Sequence, residues 1–265
     1  MAKFTTTAAI KKQWQSLMKK EAKFSEANSK EQSVSISDKI EEKIPDNLQG
    51  IMNTAFNKAF AVIFEKGTKA IEMTYRKRWH KEDFEHNAAN EKKRHNTSNL
   101  KAFSKKSKGT RGKNLIFSGI EGIGFGLVGA GIPDIPIFTA MILKGIYEVA
   151  LSYGFSYDDP QERIFILKLI QAAMTHGDDF LAIDKEINMW IHSDGYDFKD
   201  TQEDQIRATS DSMSTALLIT KFIQGLPVAG VAGGVYDMIY LNRITKYADL
   251  KYHRRFLFSR FEKKE

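Results

Sequence analysis

Along residues 45–75 the apolar positions Leu48, Ile51, Met52, Ala55, Phe56, Ala59, Phe60, Ile63 and Phe64 return at steps of three and four, with polar residues between them. That period lays one apolar stripe along a helix, and Gly67 marks where the helix bends or divides. Phe4, Ile10, Trp14, Leu17, Met18 and Phe24, set among lysines, predict an amphipathic helix over residues 4–31. The run from Ile137 is apolar except for Lys144, Glu148 and Ser152, which share one face at i+4 steps and predict a helix with a single wet side. Asp159-Pro160-Gln161-Glu162 reads as a helix start: an N-cap carboxylate, proline at the first helical position and glutamate in the capping-box place. The helix it opens is apolar nearly all round, which places it at the centre of the core. Asp178 and Asp179 open a further helix that Gly195 ends, Thr201 and Asp204 open one reaching about residue 224, and a basic amphipathic run follows. No stretch alternates with period two, so the fold class is all-α, a multi-helix globular bundle.

Two glycine-rich stretches interrupt this pattern. Residues 118–136 read SGIEGIGFGLVGAGIPDIP, with Glu121 and Asp134 as the only charges. Proline removes a backbone donor and restricts its predecessor. A helix from about residue 114 should therefore stop before Pro133 and a second begin near Pro136, forming a glycine-rich helical hairpin. GLPVAGVAGGVYD at 225–237 repeats this chemistry and predicts a second hairpin. The polar, serine-rich SKEQSVSIS at 29–37 separates an N-terminal amphipathic extension, 1–36, from a main domain, 37–265. Residues 77–113 are basic and small polar with almost nothing to bury, which predicts a solvated, mobile loop.

Charge is concentrated in the chain. The net charge is +7, and residues 66–113 hold fifteen Lys or Arg against five Asp or Glu. Residues 246–265 add seven basic against three acidic. Such patches suit polyanions, whether lipid headgroups or nucleic acid. The basic segment lacks the interleaved aromatics of a base-stacking platform, which points away from nucleic acid and towards an anionic membrane surface. Cysteine is absent, which excludes disulfides, thiolate zinc sites and cysteine nucleophiles and fits a reducing compartment. Lys11 and Lys12 cut the apolar run that a secretory signal needs, so the expected location is the cytoplasm.

Candidate chemistry is sparse. GFGLVG at 124–129 matches the letters of a dinucleotide fingerprint, but Pro133 ends a helix where that motif must begin one. Gly122, Gly126 and Ala130 fall at i+4 steps, a small-residue stripe that admits a close helix neighbour in a soluble core or a bilayer. Residues 115–132 are eighteen mainly apolar positions with one acid, at the length threshold for a membrane span. The six histidines, His80, His86, His95, His176, His192 and His253, make no recognised ligand spacing, and His176 reads as a last-turn helix residue. The acid pairs Asp158-Asp159 and Asp178-Asp179 fall at helix starts, where capping explains them. Asp134, between two prolines, is either a cap or a contact for a cation or partner. No G-x-S-x-G elbow is present, so no catalytic, cofactor or metal residue is assigned.

The combined pattern resembles the EcsC family, bacterial proteins named for a member encoded beside an ABC transporter. The residues that carry the resemblance are GIPDIP at 131–136, IYEVALSYG at 146–154, Glu162-Arg163 opening an apolar helix, LPVAG at 226–230 and YHRRFL at 252–257, over roughly residues 37–265. One departure is Leu143-Lys144-Gly145, where the family pattern carries arginine. The resemblance implies an all-helical domain associated with the membrane in the cytoplasm, and it supplies no catalytic residues.

The leading expectation is a non-enzymatic protein peripheral to the inner face of the membrane, working with membrane proteins, an ABC exporter among them. Gly122, Gly126, Ala130, Pro133, Asp134 and Pro136 would give apolar contact, and Lys105, Lys106, Lys108, Arg111, Lys113, Arg254 and Arg255 electrostatic attraction. The alternatives are a membrane-inserting or pore-forming protein that unfurls its glycine-rich hairpins, and an enzyme acting on a lipid or small ligand in a pocket lined by Asp134 and Asp237. No cofactor is expected, and the sequence leaves the oligomeric state open.

Overall fold

Asp159 caps the central helix as its sequence predicts. Its carboxylate accepts from the backbone N–H of Gln161 at 2.8 Å and of Glu162 at 3.3 Å, with Pro160 in the first helical position. A cap of this kind contributes about 1 kcal/mol. The computed structural model describes residues 4–5, 8–29, 44–73, 77–93, 101, 134–193, 197–223, 234–260 and 262–263, and they form an all-α bundle. In chain order its helices are α1 (Ala8–Ser29), α2 (Asp46–Val62), α3 (Thr68–Met73), α4 (Lys77–Lys93), α5 (Asp134–Ser152), α6 (Pro160–Met174), α7 (Gly177–His192), α8 (Gln202–Ile223) and α9 (Gly234–Phe258). A π-helical turn, Ile63–Gly67, joins α2 to α3 at the glycine where a division was expected. Phe4–Thr5 and Glu262–Lys263 form a two-residue antiparallel pair.

α6 is the hub. Ile164, Phe165, Ile166, Leu167, Leu169 and Ile170 are all at most 3% exposed, so every side of the helix meets protein. Lys168, in the middle of that run, is buried too and is neutralised by Glu186 at 2.9 Å and Asp200 at 2.7 Å. α8 packs on α6 and on α2 with a polar seam: Gln205 donates to Gln171 at 2.8 Å, Thr209 to the carbonyl of Leu167 at 3.2 Å, and Gln49 to Thr215 at 2.9 Å. α9 lies along α1, α5, α6 and α7. α1 buries Ile10, Leu17 and Phe24 together with Gln13, Glu21 and Asn28 against α7 and α9, and Phe24 stacks on Tyr247 at 5.0 Å between ring centres.

Two local expectations differ from the structure. Residues 77–93, read as loop, form α4, which packs on α5 through Phe84 and Ala88. Phe84 and Ala88, set among so many charged residues, leave too faint a period to register. Apart from Lys101, the rest of the expected basic loop lies outside the described residues. The wet face of α5 is also dry: Lys144 and Ser152 are 7% and 4% exposed, and Glu148 is mostly buried, because α2, α3, α4 and α9 surround this helix.

Candidate functional site

α5 and α9 run parallel. Gly145 faces Thr245 and Leu241, while eight residues later the Tyr153 hydroxyl donates to Asp249 at 2.8 Å and its ring stacks on His253 at 5.5 Å. Later residues of one helix thus meet later residues of the other, and both N-terminal ends fall at the same end of the bundle. The glycine-proline stretches 118–133 and 225–233 lead directly into those two ends. Ile137, Met238 and Ile239 stand there 38%, 53% and 56% exposed. Tyr240 donates to the carbonyl of Ala216 at 3.0 Å and shares a short hydrogen bond with Thr220, which brings the C-terminal part of α8 to the same end.

Of the residues selected from sequence, Pro136 is buried in the first turn of α5 and Asp134 opens that helix. Asp237 stands in the first turn of α9, so the backbone brings the two acids to one end, although their side chains lie outside what the structure describes. Gly122, Gly126, Ala130, Pro133, Lys105, Lys106, Lys108, Arg111 and Lys113, with the small-residue stripe and the 124–129 motif, also lie outside the described residues. Arg254 and Arg255 are described, and both turn inward. Arg254 forks onto the Glu21 carboxylate and covers Trp14 at 5.3 Å. Arg255 donates to Glu162 at 2.6 Å between Phe155 and Trp190, 4.1 and 4.6 Å from their ring centres. Burial pushes Glu162 up, and Arg255 with the Tyr252 hydroxyl partly offsets this.

Between α1, α7 and α9 lies a cavity of about 250 Å³, walled by Met18, Phe24, Phe180 and Leu250 and by the charged groups of Glu21, Asp184, Lys251 and Arg254. Lys251, 2% exposed, reaches Asp184 at 2.7 Å, Asn188 at 2.9 Å and Glu21 at 3.4 Å. Two turns further along α1 and two turns back along α9, Arg243 meets Asn28. Sequence reasoning singled out neither this groove nor its charges, because Glu21, Asn28 and Arg243 look like ordinary surface residues of lysine-rich amphipathic helices. The signal present was the seven-residue recurrence of Glu21 and Asn28 beside the apolar Ile10, Leu17 and Phe24.

The sequence profile of the EcsC protein family matches residues 11–257, from the first turns of α1 to the last turn of α9. The chain belongs to the EcsC family. Protein EcsC of Bacillus subtilis (strain 168) is 28% identical to it over 142 residues, which are 52% of this chain and 56% of that protein. The match thus spans little more than half the length of that relative. No solved structure matches. The EcsC profile takes in α1 and α9, hence both the groove between them and the paired helix ends. The departure at Gly145 falls on the α5–α9 contact, where a Cβ would stand 2.7 Å from Cγ2 of Thr245 and leaves no room for a longer side chain.

Proposed function

We propose that this EcsC protein acts by binding rather than by catalysis, attaching peripherally to the inner face of a membrane through the end of the bundle where α5 and α9 begin. The observation that carries the reading is the parallel packing of these helices, which gathers Ile137, Met238 and Ile239 at the point where both apolar glycine-proline stretches join the fold. Exposed apolar side chains beside a basic chain of net charge +7 suit an anionic bilayer, where apolar insertion and headgroup attraction add. The cytoplasmic location, and a membrane protein such as an exporter as the working partner, extend this reading from the family resemblance.

Insertion of the hairpins as a pore is the weaker reading. Ile135–Ser152, long and apolar enough to cross a membrane, is 72% buried in the bundle, so insertion would first have to undo its packing. Vesicle flotation tests the leading reading. The full chain should float with anionic vesicles and not with neutral ones, and Met238→Glu with Ile239→Glu should abolish flotation without loss of fold. Equal recovery on both vesicle types would remove the electrostatic part, and unchanged flotation of the double variant would move the contact elsewhere.

A further inference from the structure

Four buried or half-buried cations of the bundle meet carboxylates. Lys168 has Glu186 and Asp200, Lys251 has Asp184 and Glu21, Arg254 has Glu21, and Arg255 has Glu162. Arg243 is built differently. The two N–H bonds of its Nη2 are shared among three neighbours, the amide oxygen of Asn28, the carbonyl of Thr175 at 3.2 Å and Nε2 of His176 at 2.9 Å. All three acceptors are neutral. Burial and the adjacent guanidinium push His176 down to about 4, so its ring carries no charge at neutral pH and can accept. The Nε–H of Arg243 is buried and meets no acceptor among the described residues. Asp178 and Asp179, two and three residues past His176, are exposed and make no ion pair with it.

A guanidinium withdrawn from water without a counter-charge is costly to hold, and its planar fork matches the oxygens of a phosphate. We propose that Arg243 is an anion-binding residue whose ligand is a phosphate group. The surroundings fit such a ligand. Ile239 and Lys246 stand four residues before and three residues after Arg243, on the same face of α9, with Asn242 flanking that face, and all three are exposed. Lys246 places a second cation one turn along, and Ile239 leads to the apolar end of the bundle. A phosphate arriving from that side would meet both charges. A lipid headgroup as its source rests on the membrane reading above; the phosphate chemistry does not.

The test uses the full chain with inorganic phosphate, and separately with neutral vesicles doped either with phosphatidic acid or, to equal charge, with a fatty acid. Phosphate at roughly ten times its Kd should raise Tm by about 3–6 °C. Phosphatidic acid vesicles should bind about tenfold tighter than fatty acid vesicles. Arg243→Met should erase both effects while keeping or raising Tm in phosphate-free buffer, since it removes an uncompensated charge. Arg243→Lys keeps the charge, loses the fork and should lose most of the response; it carries the test should Arg243→Met not fold. A Tm response without any vesicle binding would retain the phosphate site and sink the membrane reading. A Tm response with vesicle binding but no preference for phosphatidic acid would assign free phosphate as the source. No response of the wild-type chain, or an unchanged response of both variants, would overturn the proposal.

Discussion

The ring of Phe84 closes over Gly154: a Cβ at that glycine would stand 2.2 Å from the ring Cζ, and the residue has φ +82°. This contact fastens α4 to the end of α5. Gly154→Ala meets two costs, the left-handed backbone and the ring, and should destabilise the fold by about 1–3 kcal/mol in urea denaturation. Adding Phe84→Ala relieves the steric part alone. Hydrogen exchange over residues 77–93 should rise in both variants, and wild-type protection of α4 in Gly154→Ala would disprove the fastening.

The α5–α9 spacing rests on a second bare glycine. Gly145→Ala should cost about 1–3 kcal/mol through the Cγ2 of Thr245. Thr245→Ser removes that methyl and keeps the hydroxyl that donates to the Leu241 carbonyl at 2.7 Å. In the serine background Gly145→Ala should be neutral, or stabilising by up to about 1 kcal/mol from helix propensity. Equal costs in both backgrounds would show that Thr245 does not set the spacing.

Glu21 holds α1 down by receiving Arg254 and Lys251. Glu21→Ala leaves Arg254 buried without its partner, while Asp184 still neutralises Lys251. The loss should be about 3 kcal/mol, the low end for a broken buried pair, with hydrogen exchange rising first in residues 8–29. Lys19→Ala, on the exposed side of α1, should change stability by less than about 0.5 kcal/mol.

Two groups bend the stability profile in opposite senses. Burial pushes Glu148 up from 4.5 to about 7, against the pull of Lys144. The folded chain therefore keeps a proton that the unfolded chain releases, and stability falls as pH rises from 4.5 to 7. His176, lowered from 6.5 to about 4, takes its proton first in the unfolded chain, so its stability contribution is lost as pH falls through that window. Glu148→Gln should gain about 1–3 kcal/mol near pH 8 and nothing near pH 4. His176→Gln should flatten the acid limb only. Parallel profiles for wild type and Glu148→Gln would rule out a proton on that carboxylate.

Features written in neighbouring residues were legible in the sequence. The Asp159 cap, the Thr201 hydroxyl accepting from the Asp204 N–H at 3.1 Å, and the all-round apolar α6 all depend on positions within one or two turns of each other. Charges whose meaning depends on distant partners were not. Arg255 reads as a surface cation until Glu162, 93 residues earlier, is placed beneath it, and Lys168 looks like an interruption of an apolar helix until Glu186 and Asp200 arrive. His176 reads as the last turn of one helix but is the N-cap position of the next, because α6 already ends at Met174. Of the candidate site, the glycine-proline ends of α5 and α9 were visible as composition, whereas their meeting at one end required the parallel packing.

Because α9 touches α1, α5, α6 and α7, it also sets a timetable. Asn28 and Arg243 are 215 residues apart, a gap that takes the ribosome roughly 10–40 s to translate. For that interval α1 has no groove to enter and the inner faces of α5, α6 and α7 lack their shared cover. The bundle therefore closes only after α9 has emerged, and until then the nascent chain exposes its most apolar helices to whatever chaperone or membrane lies nearest.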